Sequence, residues 1–284
     1  MTYGWAILII AIVLVALFSL GVFNSANFAP KAPPGSCQVF RPNGPGTAFD
    51  LNLEGECNGE LPQYVARFNG QSSLVDLGSS QRLLGNVFTV AAWVRYAGNG
   101  GSGDIPFISF VGATTFLPVV YLNWVYPNTG LIYFGNSNYR YFSLNPVNPL
   151  DGNWHFVTVV IGGYGQYDVA NDIVYVDGQA ESMSGSPTDS GLPITKTGPV
   201  YIGAAQYNFA GSIANFQFYN TTLSANDINT LYNEGIGGAP IDITNLVGWW
   251  PLNGNANDYS GNQNNGAATN VIYTTSWTNG YTSP

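Results

Sequence analysis

His155 is the single histidine of this chain, and Cys37 and Cys57 are its two cysteines. A zinc-type metal site wants several such ligands at short spacing. Neither cysteine sits in a CxxC pair, and the histidine is far from both in sequence, so a metal site of this kind is poorly supported. His155 lies between Trp154 and Phe156 in a strand-like stretch. It reads as a packed or rim imidazole rather than a base. Glycoside hydrolysis needs two carboxylates facing one bond. Glu54 and Glu56 are spaced as a pair, but they stand beside Cys57 in a loop-like stretch. Serine-nucleophile motifs and phosphate-cradling glycine loops have no convincing match. The expectation is a protein that is not an enzyme, with no catalytic residue and no required cofactor.

The cysteines flank CQVFRPNGPGTAFDLNLEGEC. A Cys37–Cys57 disulfide fits them better than two free buried thiols, and it would place this region outside the cytosol. Closing a loop of about twenty residues contributes on the order of 3 kcal/mol by restricting the unfolded chain. Charged residues make up only 8% of the 284 positions and the net charge is -9. The few Lys and Arg are scattered, which argues against a nucleic-acid partner.

From Leu61 onward, short strands alternate with Gly, Asn and Pro turns, the pattern of a β-sandwich or barrel. FTVAAWVRY (88–96) alternates as a half-buried strand does, and WHFVTVVIGG (154–163) is an apolar, β-branched strand led by Asp151-Gly152-Asn153. DIVYVDGQAES (172–182) predicts a hairpin turning at Asp177-Gly178. GSIANFQFYN (211–220) predicts a strand carrying Ile213, Phe216 and Phe218. One helix follows. Ser224 is its N-cap with Asp227 three residues on, Ile228 and Leu231 share a face, and Gly235 is the stop.

In this order these pieces resemble the laminin-G-like, concanavalin A-like jelly roll. The carriers are YVARFNGQSSLVDLG (64–78), FTVAAWVR (88–95), GNWHFVTVVI (152–161), VYVDGQ (174–179), YIGAA (201–205) and GSIANFQFYNTTLSANDINTLYNEG (211–235). LVGWWPLNGNANDYSGNQNNGAATNVIY (246–273) resembles the strand pair that normally begins such a domain, yet stands at the end. The domain is circularly permuted, or the segment is donated to a neighbour's sheet, or a truncated second domain starts there. Permutation is favoured, because the sheet would otherwise keep an open edge.

The resemblance implies carbohydrate binding, without the short acidic E-x-D-x-x-E cluster of jelly-roll glucanases. Sugar faces stack on exposed aromatics, and the loop-like candidates are Trp124, Tyr126, Tyr139, Tyr164, Tyr167 and Tyr207. It also implies a possible calcium ion, for which Asp258 is the nominated ligand; an ordinary turn is the alternative. Asn220-Thr221-Thr222 is the one N-glycosylation sequon.

The first residues differ from all of this. Tyr3 to Phe23 is uncharged and apolar. About 21 helical residues span roughly 31 Å, the depth of a bilayer core. A signal peptide, a permanent transmembrane anchor, a buried helix of the β-domain, and a helix that leaves the membrane for a filament core all compete. MTYGWAILIIAIVLVALFSLGVF resembles the N-terminal segment of archaeal type IV pilins and archaellins, through its Tyr-Gly-Trp start and Gly21 before Val22-Phe23. The basic leader, the cleavage site and the early Glu of that family are missing from the sequence. The resemblance implies that Trp5, Ile7, Leu8, Ile9, Ile10, Ile12, Val13, Leu14, Val15, Leu17, Phe18, Leu20, Val22 and Phe23 pack first in lipid and then against sister chains.

The expected organisation is a mainly β protein: a hydrophobic helix over 1–24, a Pro/Gly-rich stalk with the cysteine loop over 25–60, and a jelly-roll head over 61–284. The expected function is a subunit of an extracellular filament that passes through the cytoplasmic membrane before assembly. Its partners would be itself, a prepilin peptidase with assembly machinery, and surface glycans or neighbouring cells. The alternative is a monomeric, membrane-anchored, lectin-like surface protein.

Overall fold

The computed structural model describes residues 38–40, 50–52, 61–79, 87–98, 106–110, 119–121, 129–135, 138–143, 148–162, 172–184, 198–204 and 208–284. The apolar segment 1–24, both cysteines, Glu54 and Glu56 lie outside them. Among the described residues no helix is long and apolar enough to cross a membrane.

The strands are β1 Gln38–Phe40, β2 Asp50–Asn52, β3 Val65–Asn69, β4 Leu74–Ser79, β5 Phe88–Tyr96, β6 Pro106–Phe110, β7 Val119–Tyr121, β8 Thr129–Gly135 and β9 Asn138–Ser143. They continue as β10 Trp154–Ile161, β11 Ile173–Val176, β12 Gln179–Ala180, β13 Met183–Ser184, β14 Pro199–Ile202, β15 Ala210–Tyr219, β16 Leu246–Trp250, β17 Ala267–Thr269 and β18 Ile272–Thr274. The helix α1, Ala225–Asn233, lies between β15 and β16. β1 and β2 form a separate antiparallel pair.

Two antiparallel sheets make the sandwich. Sheet I runs β12-β11-β10-β5-β15-β3-β18, with β16 also beside β15, and sheet II runs β13-β9-β8-β7-β6-β14-β4-β17. Alternation along each strand sends one set of side chains inward. Val90, Ala92, Val94, Val157, Val159 and Val174 from sheet I meet Val75, Leu77, Val120, Phe142, Val200 and Ile202 from sheet II in one core.

FTVAAWVRY was expected to be half-buried. Instead Phe88 to Val94 are buried without a break. A third layer explains the difference. Ala91 and Trp93 point away from sheet II into a second core with Phe156, Leu223, Ile228, Leu231, Trp249 and Trp277. α1, the segment after it and the C-terminal tail cover this face, so both faces of β5 are dry.

Local sequence builds that layer. The Ser224 hydroxyl accepts from the Asp227 N–H, and the Asp227 carboxylate accepts from the Ser224 N–H, closing a capping box. Gly235 leaves the helix at φ 78°, a left-handed conformation that suits glycine. The hairpin β11–β12 turns on Asp177 and Gly178 at φ 49° and 75°, with Val176 paired to Gln179. This is the two-residue turn whose twist matches the strands.

In β15 the inward positions are Ile213, Phe216 and Phe218, so the phase slips by one between 213 and 216. Asn215 sits at the slip with φ 52°, where the register to β5 shifts. A bulge of this kind re-aims a side chain. The Asn215 carbonyl accepts from Trp249 Nε1 at 2.7 Å and Gln217 Nε2 at 3.1 Å, while its amide donates to the Gly238 carbonyl at 2.8 Å.

The last strands return to the same sandwich. β16 pairs with β15, β17 with β4 and β18 with β3. β17 ends sheet II and β18 ends sheet I, so this short stretch borders both sheets. Among the three readings of residues 246–273, this pairing is the one in which the segment completes its own domain.

Candidate functional site

Val120 is buried in the sandwich core, so Val119 and Tyr121 occupy positions on the opposite face of sheet II. Register carries that face across the sheet. Val119 opposes Tyr133, Tyr133 opposes Tyr139, Tyr121 opposes Leu131, and Leu131 opposes Tyr141. In the other direction Val119 opposes Ser109, Ser109 opposes Tyr201, and Tyr201 opposes Asp76. One row across six strands thus reads Asp76, Tyr201, Ser109, Val119, Tyr133, Tyr139. At ~4.8 Å per strand, Tyr201 and Tyr133 are roughly 14 Å apart.

Tyr201 is half-buried, and burial, then the charge of Asp76, pushes its hydroxyl above the ordinary tyrosine value. Asp76 Oδ1 accepts from the Gly78 N–H at 2.7 Å. Ser109 is buried and its hydroxyl donates to the Ala204 carbonyl. Register thus puts Tyr201, Tyr133 and Tyr139 on one row, with Asp76 at its end.

Of the aromatics nominated from sequence, Tyr139 is in this row. Trp124, Tyr126, Tyr164, Tyr167 and Tyr207 lie outside the described residues. Sequence reasoning missed Tyr121, Tyr133, Tyr141 and Tyr201. A signal existed within single strands: Tyr139 and Tyr141 are two apart in NYRYFS, and Leu131 and Tyr133 are two apart in TGLIYFG, spacings that share a face.

A second constellation sits at the rim of sheet I. His155 Nδ1 is 2.7 Å from Asp177 Oδ2, and Nε2 is 3.0 Å from Asp151 Oδ1. Asp177 Oδ1 accepts from the Phe156 N–H, and Asp151 accepts from the Asn153 backbone and side-chain amides. Burial pushes the imidazole pKa down, but the hydrogen bonds and charges of Asp177 and then Asp151 outweigh it, and the net shift is upward. For Asp151, burial raises the carboxyl, while its bonds to Asn153 and to His155 hold it below the usual range. Each ring nitrogen faces a carboxylate, so only the protonated ring, which has an N–H on both nitrogens, can donate to both at once. In that state it has no lone pair for a proton or a metal. Its geometry ties the turn before β10 to the turn after β11.

Asp258, nominated for calcium, is spent on the loop between β16 and β17. Its Oδ1 accepts from the backbone N–H groups of Trp249 at 2.9 Å and Ser260 at 2.8 Å, and its Oδ2 from that of Asn264 at 2.8 Å. Three of about four acceptor directions on the carboxylate therefore face donors rather than a cation. Among the described residues no cluster of three or more His, Cys, Asp or Glu is placed to hold a metal. Asn220 is exposed at the turn between β15 and α1.

Many solved structures share the sandwich. A heptameric SAP-like pentraxin from Limulus polyphemus aligns over 75% of this chain and 95% of its own, with 16% identity and a TM-score of 0.51. A proposed carbohydrate-binding protein from Bacteroides ovatus aligns over 80% of this chain and 64% of its own, with 14% identity and a TM-score of 0.50. At such identities the likeness is one of fold. No curated protein sequence matches the chain. A laminin-G-type family model, described as the concanavalin A-like lectin/glucanases superfamily, matches residues 69–229. That stretch is more than half of the chain and holds β4 to β15 with the start of α1, so the chain belongs to the concanavalin A-like lectin/glucanase superfamily.

Proposed function

We propose that the chain is a cell-surface binding protein whose sandwich recognises glycans without turning them over. The outer face of sheet II is the binding surface, and the N-terminal apolar segment is the tether. The observation that carries this is the cross-strand row that runs from Asp76 and Tyr201 to Tyr133 and Tyr139. Sheet I cannot serve in the same way, because α1 and the C-terminal tail cover its outer face. Binding without turnover agrees with His155, whose two nitrogens are both engaged by carboxylates.

Titration calorimetry against a panel of neutral and acidic oligosaccharides tests the reading. A binder should emerge whose affinity falls at least tenfold in Tyr201→Ala and Tyr133→Ala, while the folding midpoint changes little. No binder in the panel, or one indifferent to both substitutions, removes the glycan assignment.

A second reading of the tether has its own support in the pilin-like residues Tyr3-Gly4-Trp5 and Gly21-Val22-Phe23. In it the apolar helices of many copies pack into a filament core and the sandwiches pave the outside. Repeating one head-to-tail contact gives an open polymer, and weak contacts per head become firm by multiplicity. Electron microscopy of native surface material separates the two: fibres favour the filament, and dispersed particles in detergent favour the single anchor.

A further inference from the structure

We infer that Asn220 carries an N-linked glycan. The inference rests on the surface display proposed above, and its chemistry belongs to a different part of the molecule. Asn220-Thr221-Thr222 has the Asn-x-Thr form that glycan transfer requires, and no other triplet in the 284 residues has Asn followed two positions later by Ser or Thr with a non-proline between.

The fold holds this triplet by its backbone and leaves its reactive side chains outside. The Asn220 N–H donates to the Asn245 carbonyl at 2.9 Å. The buried Thr89 hydroxyl donates to the Thr221 carbonyl at 2.8 Å and accepts from the Leu223 N–H at 3.0 Å. Leu223 is itself buried, which fixes the far end of the link before the Ser224 cap. Asn220 and Thr222 are both exposed, and among the described residues neither side chain makes a hydrogen bond. An asparagine spent on a turn or a cap would have its carboxamide engaged, as Asn69, Asn148 and Asn215 do here.

The co-reactant is an oligosaccharide joined to a lipid carrier through phosphate or pyrophosphate. The Asn220 carboxamide nitrogen forms the bond to the anomeric carbon and gives up one proton. The bond from that carbon to the carrier oxygen breaks, and its electron pair stays on the phosphate. Nothing is oxidised or reduced. Asn220 follows directly on β15, a strand of sheet I and not of the proposed binding sheet.

The test is peptide mass spectrometry on the full chain recovered from its native cells, with protease added to intact cells to report exposure. The expected result is a surface-accessible chain whose Asn220 peptide is heavier by a glycan. Asn220→Gln and Thr222→Ala should lose the increment, Thr222→Ser should keep it, and folding midpoints should stay within about 0.5 kcal/mol of the parent, as exposed substitutions do. An unmodified Asn220 on a surface-accessible chain overturns the inference and spares the display reading. An inaccessible chain with unmodified Asn220 overturns both.

Discussion

The imidazole of His155 is held between two carboxylates, with Asp177 Oδ2 2.7 Å from one ring nitrogen and Asp151 Oδ1 3.0 Å from the other. A neutral ring has one N–H and can serve only one of them. The bridge therefore depends on the proton. Because the folded-state pKa is raised, its stabilisation is fully present below the unfolded value of about 6.5 and fades as pH climbs through the folded value. Asp151 works in the opposite sense. Its lowered pKa gives stability that is present above about 3.9 and lost as pH falls through the folded value. Denaturant midpoints measured across pH should show a decline on the alkaline side that His155→Ala removes, at a cost of about 1–3 kcal/mol below pH 6 for the carboxylate bonds lost. A variant with the parental pH profile would show that the bridge is not the titrating element.

Asn215 combines a positive φ with a buried network, and the two effects can be separated. Asn215→Ala leaves Trp249 Nε1 and the Gly238 carbonyl without their partners and keeps a side chain at φ 52°. The loss should be about 2–4 kcal/mol by equilibrium unfolding. Asn215→Gly breaks the same bonds but accepts the backbone conformation, so it should recover about 1 kcal/mol of that. Equal midpoints for the two variants would mean the bulge is not strained.

What was legible in the sequence was local. Ser224 with Asp227, and Asp177 with Gly178, each fix their element within a few residues, and both stand where spacing predicted them. What was not legible depends on register between distant strands. Nothing in Val119, Tyr133 and Tyr201 taken singly says that they share a row. Nothing near His155 pointed to Asp177, which arrives by the return of β11. FTVAAWVRY alternates as an exposed-face strand would, but Trp93 is covered by Tyr232 and Tyr281, with ring centroids at 5.8 Å and 5.3 Å. Both partners come from the region beyond residue 230, far from Trp93 in the chain.

Asp258 should act as a loop organiser that needs no ion. Asp258→Asn keeps the size but replaces one acceptor oxygen with an amide that faces a backbone N–H, and it removes the charge that strengthens three bonds. A loss of about 1–3 kcal/mol is expected. Calcium or a chelator should leave the parental midpoint unchanged. A rise on adding calcium that Asp258→Asn abolishes would return the residue to the role of ligand.

β17 and β18 border both sheets of their own chain, and this has a consequence for association. If the pairing of Ala268 with Val75 and of Tyr273 with Ala66 forms within one molecule, folding carries no bimolecular step. The unfolding midpoint should then be independent of protein concentration over a hundredfold range. Strand donation between neighbours would instead make the midpoint rise with concentration, because dilution favours the open form. Tyr273 offers a local probe of the same question: burial pushes its hydroxyl up to about 12. Spectroscopic titration should find this tyrosine un-ionised well past the ordinary value of about 10. An ordinary titration of Tyr273 at high dilution, restored on concentration, would move residues 246–284 into a neighbour's sheet.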